Sequence, residues 1–362
     1  MRRPKICLIG NNLSSGGADK IHAVLSNYFS RQGIDVHNVI FIDAVTYEFS
    51  GELLNLGKDW KGGIFNLFWR FKILSDYLKN NDFDFIIDFR TRHKPFRERI
   101  FAKLLSRSKY IPTIHSYETD WYFTPSLSVG KKLFKNAFQI VTVASQIEEK
   151  VRSKYGYENV TTILNPIETD KIVALSNEFF NRDYEYILTV GRMSLDDHKQ
   201  FAKLIGAYSK SNLHQNDVRL LLLGDGPLKP TLEKLVNDEG FDGNVIFEGF
   251  VDNPYKYMKN AEFTVLSSKF EGLPNTIAES LACGTPVVSF DCASGPSEFI
   301  ENRQNGLLVP DQDWKAFIDA LNEMHANDEL RNDCRANAKA SVAKFDIEQI
   351  GKVWMRLLNL DQ

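Results

Sequence analysis

Short β-rich apolar runs alternate with helical patterns along the whole chain. This alternation favours parallel sheets that are covered by helices on both faces. A capping box formed by Ser145 and Glu148 predicts a helix that starts at Ser145. In the first half of the chain, strands are predicted at residues 5–10, 37–42, 83–89, 109–115, 139–144 and 160–164.

A polar stretch separates two similar halves. Residues 171–184 lack a strong apolar period, and the strand–helix rhythm restarts at 186–191. The sequence therefore predicts two doubly wound α/β domains in tandem, with the active site by default in the cleft beyond the carboxyl ends of their strands. Further strands are predicted at residues 219–224, 244–250, 262–268, 286–291 and 306–310, and the last helices at 312–325, 328–344 and 346–358.

The composition excludes several classes of protein. The 362 residues are 43% hydrophobic and 25% charged, which is typical of a soluble globular protein and not of a disordered or fibrous one. A net charge of -3 argues against a nucleic-acid partner for the whole protein. The four cysteines form no C-x-x-C pair, no signal peptide is recognisable, and no apolar run is long enough to span a membrane. We therefore expect a cytoplasmic protein that can reach the inner face of the plasma membrane.

Positive charge is concentrated in the first half. Lys and Arg outnumber Asp and Glu by six over residues 1–170, and acidic residues exceed basic ones by nine over the remainder. Most of this excess comes from the basic stretch at residues 90–109. This stretch is either a solvated helix face or a patch that binds anionic lipid headgroups or a phosphate-bearing acceptor. Residues 60–74, rich in aromatics and cations, form either a membrane-interface helix or an ordinary core-facing one. The predicted patch comprises Arg90, Arg92, Lys94, Arg97, Arg99 and Lys103.

A glycine-rich loop follows the first predicted strand. Gly16 and Gly17 allow backbone amides to approach a ligand, and the helix behind them offers a positive N-terminus to a phosphate. A purely structural Gly-Gly turn is the alternative. The spacing fits neither a Walker A motif nor the dinucleotide fingerprint, which argues against an ATPase or a dehydrogenase.

The second half supplies two cations and two carboxylates near strand ends. Arg192 follows a predicted strand directly, and Lys199 lies at the start of the next helical pattern, so the two cations can clamp a diphosphate. Glu271 precedes a loop, and Glu279 lies about one turn into a helix predicted to start near Pro274. Two carboxylates spaced in this way can reach opposite ends of an elongated ligand. The arrangement suits a nucleotide sugar.

Six motifs follow one another in a fixed order along the chain. They are the Gly16-Gly17-Ala18 loop, Gly191-Arg192 with Lys199, Gly-Asp-Gly-Pro at 224–227, Gly-Phe-Val at 249–251, Glu271-Gly-Leu-Pro with Glu279, and Gly-Leu-Leu-Val at 306–309. Together they resemble the retaining glycosyltransferases of family 4, which have the GT-B fold. The resemblance implies an acceptor-side domain at residues 1–168, a donor-binding domain at 169–345 and a C-terminal helix at 346–362 that crosses back to the first domain.

The same resemblance assigns roles to single residues. Arg192 and Lys199 would hold the donor diphosphate and offset charge on the leaving group, and Glu271 would lie against the transferred sugar. Glu279 would accept hydrogen bonds from the ribose, and His115 matches a histidine found near the reaction centre. The remaining donor-binding residues are Gly16, Gly17, Gly191, Gly249, Phe250, Val251, Gly272, Leu273, Pro274, Asn275 and Thr276.

The resemblance implies a reaction without a metal cofactor. Two Asp-x-Asp pairs, Asp82 with Asp84 and Asp311 with Asp313, match a metal-site pattern of another glycosyltransferase fold. The first pair precedes an apolar strand and the second lies at a predicted helix start, where Asp caps backbone amides. We therefore expect structural roles for both pairs.

The expected reaction is transfer of a hexose or an N-acetylhexosamine from a nucleotide sugar, with UDP preferred over GDP, to a glycan acceptor. Resemblance to enzymes that extend lipid-linked oligosaccharides favours a polyprenyl-diphosphate-linked acceptor in surface polysaccharide assembly. Two alternatives stay open: a nucleotide-sugar epimerase of the same fold, and a non-catalytic subunit that binds nucleotide sugars. The intact charged residues of the predicted site argue against the second.

Overall fold

The computed structural model describes residues 2–14, 16–58, 64–92, 94–105, 108–123, 130 and 133–361. Within its helices, the side chains of residues 64, 65, 67, 102 and 103 lie outside this description. The chain divides into two compact units. Unit 1 comprises residues 1–166 and 347–362, and unit 2 comprises residues 167–346.

Unit 1 is built on a parallel sheet of seven strands in the order β3-β2-β1-β4-β5-β6-β7. The interior strand β1 is buried from its second residue onward, as expected for a strand covered on both faces. The strands are β1 (Lys5–Gly10), β2 (Asp35–Ile40), β3 (Glu52–Asn55), β4 (Phe85–Asp88), β5 (Lys109–Ile114), β6 (Ile140–Thr142) and β7 (Val160–Thr162). The helices are α1 (Gly17–Arg31), α2 (Ile64–Asn81), α3 (Pro95–Leu104) and α4 (Ser145–Tyr155), with a short 3-10 turn at Thr119–Trp121.

The last helix of the chain, α13 (Ile347–Leu357), belongs to unit 1. Its apolar face packs against α1, where the rings of Phe29 and Trp354 meet edge to face with centroids 6.4 Å apart. Gly351 lies directly over the ring of Tyr28, which leaves no room for a side chain at that position. The predicted return of the C-terminal helix to the first domain is thus confirmed.

Unit 2 is built on a parallel sheet of six strands in the order β10-β9-β8-β11-β12-β13. Its largest apolar cluster covers one face of the sheet, from Ile187 on the first strand to Phe317 on a covering helix. The strands are β8 (Tyr186–Val190), β9 (Arg219–Leu223), β10 (Val245–Gly249), β11 (Thr264–Leu266), β12 (Val287–Phe290) and β13 (Gly306–Val309). The helices are α5 (Thr169–Ser176), α6 (Phe201–Ser209), α7 (Lys229–Asp238), α8 (Tyr255–Asn260), α9 (Asn275–Cys283), α10 (Pro296–Phe299), α11 (Trp314–Ala326) and α12 (Asp328–Ser341), with 3-10 turns at His214–Asn216 and Ala343–Phe345.

The predicted pair of parallel α/β domains is confirmed, as is the helix that starts at Ser145, and three local features differ from the sequence prediction. The capping box is absent, because Ala144 is the N-cap of α4 and Glu148 accepts hydrogen bonds from Arg152 and Thr162 instead. The stretch 171–184 contains most of helix α5. The edge strand β3 has no predicted counterpart, because its residues are exposed or only partly buried and carry no clear apolar pattern.

Candidate active site

In unit 2 the strand order reverses between β8 and β11, which are neighbours in space but not in sequence. Such a reversal is called a topological switch point, and ligands of doubly wound sheets bind there, beyond the carboxyl ends of the strands. Gly191 and Arg192 follow β8 at this point, and Ser267 to Glu271 follow β11. The predicted cations and the first predicted carboxylate are therefore brought to one place by the topology.

Glycines hold the loops after β8, β9 and β10 together. The amide of Gly191 donates to Leu223 at 2.9 Å, and the amide of Gly224 donates to Gly249 at 2.7 Å. A Cβ on Gly224, whose φ is +128°, would collide with the carbonyl oxygen of Gly191. Only glycine allows this close approach, so the Gly-Asp-Gly-Pro motif keeps the backbone of the site in place.

The central contact of the site is an ion pair between Lys199 and Glu271. The Nζ atom of Lys199 donates to Oε1 of Glu271 at 2.5 Å, and the Ser268 hydroxyl donates to the same oxygen at 2.6 Å. The two charged side chains are 17% and 11% exposed, so they are partly shielded from water but open to a ligand. Because both contacts use Oε1, the second carboxylate oxygen can accept a hydrogen bond from a hydroxyl group of a ligand.

The segment before α6 places Lys199 beside the strand ends. Gln200 has a left-handed φ of 57° and donates from Nε2 to the carbonyl of Ser267 at 2.9 Å. The Ser267 hydroxyl in turn donates to the carbonyl of Lys199 at 2.8 Å. The methylene chain of Lys199 runs past Gly191, where an added Cβ would lie 3.6 Å from Cε. These contacts tie the lysine to both loops of the switch point.

Helix α9 carries the second carboxylate and begins as the sequence predicts. Pro274 is its N-cap and provides no side-chain cap, so backbone amides of the first turn face the loop. Glu279 lies in the middle of this helix and is 6% exposed. The buried hydroxyl of Thr276 has no hydrogen-bond partner among the described residues. The start of α9 therefore offers polar groups to an anionic or hydroxylated ligand.

The loop after β12 fixes the loop that leads into α9. The hydroxyl of Ser294 donates to the carbonyl of Gly272 at 2.7 Å, and the amide of Glu271 donates to Ala293 at 3.1 Å. Gly295, with a φ of +105°, packs so closely on Pro274 that a Cβ would collide with its ring. Contacts with the loop after the neighbouring strand β12 thus fix the position of residues 271–274.

The loops after β8 and β10 carry four further residues of the predicted site. Arg192 is exposed immediately after β8, and the ring of Phe250 is 70% exposed after β10. Gly249 has a positive φ of 76°, whereas Val251 is partly buried. Exposed groups of this kind are available to a ligand at the loop surface.

In unit 1 the glycine loop leads into α1. Gly16 is the N-cap of this helix with a φ of 121°, and Gly17 is its first residue. Burial raises the pKa of Asp19, in the first turn, to about 7. The carboxylate lies beside Gly16, so a carboxyl group that changes charge near neutral pH lines the loop. Sequence reasoning missed Asp19 because an acidic residue in a first helical turn is commonplace.

His115 follows β5 at the same edge of the unit 1 sheet. Its Nε2 atom lies 2.9 Å from the hydroxyl of Thr113, and its ring packs at 5.6 Å on that of Phe89. Desolvation, helped by the charge of Arg92, lowers the pKa of His115 to about 3. The imidazole is therefore neutral at physiological pH.

Two members of the predicted basic patch are not on the surface. Arg90 is 5% exposed and Arg92 is fully buried, and both form ion pairs with the buried carboxylate of Asp88. Arg92 also donates to main-chain carbonyls of neighbouring segments. These arginines hold the sheet edge together, so assigning them to a ligand patch is wrong. Of the other members, Lys94, Arg97 and Arg99 are exposed, and the side chain of Lys103 lies outside the described residues.

The Asp-x-Asp pairs have structural partners. Asp84 accepts hydrogen bonds from Arg2 and from the amide of Lys5, and Asp82 also contacts Arg2. Asp313 caps α11 by accepting from the amide of Ala316 at 3.0 Å. The described part of the chain contains no group of three or more His, Cys, Asp or Glu side chains arranged to hold a metal ion.

None of the helices within the described ranges combines the length and apolar character needed to cross a bilayer. The predicted aromatic segment 60–74 corresponds in part to α2, and residues 60–63 lie outside the description.

Comparison with known proteins identifies similar sequences. Residues 172–341 match the family model described as glycosyl transferases group 1. The chain is 28% identical to the Campylobacter jejuni N-acetylgalactosamine-N,N'-diacetylbacillosaminyl-diphospho-undecaprenol 4-alpha-N-acetylgalactosaminyltransferase, over 96% of this chain and 97% of the relative. It is 26% identical to the lipopolysaccharide core biosynthesis glycosyltransferase LpsE of Rhizobium meliloti, over 95% and 96% of the two chains.

A solved structure shows the same fold. The Anabaena protein HepE in complex with UDP and glucose superposes with a TM-score of 0.80 at 18% sequence identity, covering 99% of this chain and all of the other. The two proteins therefore share one fold.

Proposed function

We propose that the chain is a glycosyltransferase, namely a retaining family 4 enzyme that transfers a hexose or an N-acetylhexosamine from a UDP-sugar to a lipid-linked glycan. The match of residues 172–341 to the group 1 glycosyl transferase model supports this proposal. The observation that carries this proposal is the ion pair of Lys199 and Glu271 at the switch point of the unit 2 sheet. It sets a cation for the diphosphate beside a carboxylate for the sugar.

The chemistry requires positive charge where the leaving group forms. Cleavage of the bond between the anomeric carbon and the diphosphate leaves negative charge on phosphate and an oxocarbenium-like sugar. Lys199 and the exposed Arg192 supply cations, and the amides at the start of α9 add dipoles. These groups offset the charge without a metal ion, so the proposal includes none.

The carboxylates hold the two ends of the donor. Glu271, fixed through Oε1 by Lys199 and Ser268, accepts a hydrogen bond from a hydroxyl of the transferred sugar. Glu279, further along α9, accepts hydrogen bonds from the ribose. The glycine-lined loops after β8 and β10, including Gly191, Gly249, Phe250 and Val251, border the base and the phosphates. Residues 272–276 contact the sugar hydroxyls and the phosphates.

In unit 1 we assign Gly16, Gly17 and His115 to substrate binding. Gly16 and Gly17 present backbone amides at the start of α1, where an anionic group is stabilised. His115 is neutral, so it contacts the substrate as a hydrogen-bonding group and not as a cation. Its place at the carboxyl end of β5 is typical of a ligand-binding position in a doubly wound sheet.

The acceptor is proposed from the similar proteins and from one surface of unit 1. The Campylobacter jejuni relative is named for an undecaprenol-diphosphate-linked substrate. Helices α2 and α3 pack on each other through Phe71 and Phe101, and each of them also exposes aromatic rings and cations. We define the α2–α3 surface by the exposed side chains of Phe68, Trp69, Lys72, Lys94, Phe96, Arg97 and Arg99.

Aromatic rings beside Lys and Arg are typical of proteins that sit at an anionic bilayer interface. Phe68, Trp69 and Phe96 are each more than half exposed. The α2–α3 surface is therefore proposed to hold the enzyme on the inner face of the plasma membrane, where a polyprenyl-linked acceptor resides.

Ligand-induced stabilisation tests the donor site. We would measure the thermal midpoint of the wild type, of Glu279→Ala and of the exposed control Glu329→Ala with UDP, GDP, NAD and several UDP-sugars. A ligand at 100 times its Kd adds about 2.7 kcal/mol to the free energy of unfolding, which raises the midpoint by about 3 °C or more.

The expected result is a shift with UDP and with at least one UDP-sugar that Glu279→Ala loses and Glu329→Ala keeps. Absence of a shift with every nucleotide would contradict the proposed donor site, and a shift with GDP alone would contradict the preference for UDP. Conversion of a UDP-sugar to its epimer without an acceptor would indicate an epimerase instead.

A further inference from the structure

The hydroxyl of Thr113 lies between a main-chain carbonyl and the imidazole of His115. Thr113 is in β5, and its Oγ1 atom is 3.0 Å from the carbonyl oxygen of Asp88 on the neighbouring strand β4. The same Oγ1 atom is 2.9 Å from Nε2 of His115. The threonine is 1% exposed, so water does not compete for these hydrogen bonds.

The direction of both hydrogen bonds follows from the chemistry of the groups. A carbonyl oxygen only accepts, so the single proton of the Thr113 hydroxyl is donated to Asp88. The hydroxyl oxygen is then an acceptor towards His115, which means that Nε2 carries the imidazole proton. A neutral imidazole has one proton, so the Nδ1 atom keeps its lone pair.

Buried contacts fix the position of Thr113. The guanidinium of Arg92, which is fully buried, donates to the carbonyl of Asp88 at 2.9 Å and to the carbonyl of Thr113 at 2.6 Å. It thereby links β4 to β5 at the point where the threonine hydroxyl lies. A carbonyl oxygen has two lone pairs, so Asp88 can accept from Arg92 and from Thr113 together.

His115 borders a small cavity of about 10 Å³ in unit 1, which has room for about one water molecule. Thr113 and His115 line it together with Phe89, Asn165 and Trp354. Because desolvation and Arg92 lower the pKa of His115 to about 3, the ring stays neutral throughout the physiological range. A neutral ring has two tautomers, and the one present decides whether Nδ1 accepts or donates.

We propose that Thr113 is a positioning residue that fixes His115 in the Nε2–H tautomer, so that Nδ1 accepts a hydrogen bond from a hydroxyl of the bound sugar or acceptor. The catalytic part of this inference rests on the proposed function, whereas the tautomer is a property of the free protein. Arg92 contributes by holding both carbonyls, and it does not touch the substrate.

The tautomer can be measured without any substrate. We would label the seven histidines with ¹⁵N, record long-range ¹H–¹⁵N correlation spectra at pH 7, and assign His115 by its loss in His115→Gln. The wild type is expected to show the pattern of a protonated Nε2 and an unprotonated Nδ1. Thr113→Val is expected to lose this pattern, and Thr113→Ser to keep it. A protonated Nδ1 in the wild type, or an unchanged spectrum in Thr113→Val, would overturn the proposal.

Steady-state kinetics test the consequence for catalysis. Loss of one well-placed hydrogen bond should lower the turnover of Thr113→Val about 10-fold, with Thr113→Ser close to the wild type. The control is Thr142→Val, which removes another buried hydroxyl in the adjacent strand β6, where it contacts Thr162. Equal turnover of Thr113→Val and the wild type would overturn the positioning role. If the wild type itself transferred no sugar, the proposed function would fail and the tautomer assignment would still stand.

Discussion

Lys199 and Glu271 neutralise each other in the free protein, and a donor substrate changes that balance. In the proposed donor complex, a diphosphate would bring negative charge to Lys199, while the carboxylate would stay beside the sugar. The ion pair is 2.5 Å long and only partly exposed, so the lysine is oriented before the substrate arrives. Preoriented charges of this kind lower a barrier because they need no rearrangement during the reaction.

Removal of the lysine tests this view at the residue scale. We expect Lys199→Ala to lower turnover about 100- to 1,000-fold, since it deletes one cation that stabilises the leaving group. Lys203→Ala is the matched control, because Lys203 is exposed on α6 four residues later. Steady-state rates of UDP release measure both variants. Near-normal turnover of Lys199→Ala would refute its role.

A buried histidine gives unit 1 a pH dependence. His22 donates from Nε2 to Asn38 at 3.0 Å, and burial lowers its pKa to about 4. Between pH 4 and its ordinary value of 6.5, the unfolded chain binds a proton that the folded protein does not. The free energy of unfolding therefore falls as the pH drops through this window, by about 3 kcal/mol at most from this residue.

The variant His22→Gln keeps a donor for Asn38 and removes the titration. Its loss of unfolding free energy between pH 7 and pH 4.5 should be about 2 kcal/mol smaller than that of the wild type. Hydrogen exchange of amides in β1 and α1 reports this quantity for unit 1 alone. Equal losses in both proteins would show that His22 does not titrate in this way. Above pH 7, the difference in unfolding free energy between the two proteins should not change with pH, which serves as the internal control.

At the level of single residues, the sequence predicted the charged groups of unit 2 but not their setting. Arg192, Lys199 and Glu271 lie near strand ends or a helix start, which apolar patterns indicate, and Glu279 lies in the middle of helix α9. The burial of Arg90 and Arg92 could not be predicted from the sequence. A run of cations has the same sequence pattern whether the side chains contact solvent or a buried carboxylate such as that of Asp88.

Among the elements, α13 shows how a distant segment completes a domain. It lies 180 residues beyond the rest of unit 1 along the chain, yet its buried face joins the core of that unit. The contact depends on Gly351, which sits against the ring of Tyr28. A one-carbon side chain would separate α13 from α1.

Substitution of this glycine tests the packing. Gly351→Ala is expected to lower the stability of unit 1 by about 1–3 kcal/mol through overpacking. Gly206→Ala, in the middle of α6, meets no atom within 4 Å and should raise stability by up to about 1 kcal/mol, since alanine favours a helix. Chemical denaturation curves of the two variants should therefore move in opposite directions. Similar stability of Gly351→Ala and the wild type would contradict the tight contact.

Strong apolar patterns predicted the long elements, and weak ones failed. The buried strands of both sheets were found from their runs of Val, Ile, Leu and Phe. The edge strand β3 and the helix α5 were missed because exposed segments carry little periodicity. Ser145 and Glu148 fit a capping pattern, but tertiary hydrogen bonds to Arg152 and Thr162 occupy Glu148 instead.

At the scale of the whole molecule, the excess of positive charge in the first half of the chain is found partly in exposed cations of unit 1. After the buried arginines are removed from the predicted patch, Lys94, Arg97 and Arg99 are still exposed beside the aromatic rings of the α2–α3 surface. The sequence predicted the two domains and their order, because each repeats the strand–helix rhythm. It could not separate surface cations from buried ones.

Flotation with vesicles tests the α2–α3 surface. The triple variant Lys94→Glu, Arg97→Glu and Arg99→Glu should lose most binding to vesicles that contain anionic lipid, at about 1 kcal/mol for each cation removed from the interface. The control reverses Lys352 and Arg356, which are exposed on α13. Binding that is equal in the wild type and the triple variant would rule out this surface as the membrane contact.

Sugar transfer itself is the most direct test of the account. We would incubate the wild type and Lys199→Ala with a panel of UDP-sugars and polyprenyl-diphosphate-linked glycans, and follow UDP release together with the mass of the acceptor. The account predicts that the wild type adds one sugar to an acceptor with release of one UDP and with the anomeric configuration retained, and that Lys199→Ala does so at least 100-fold more slowly. UDP-sugar binding without transfer to any acceptor, or transfer with inverted configuration, would contradict it.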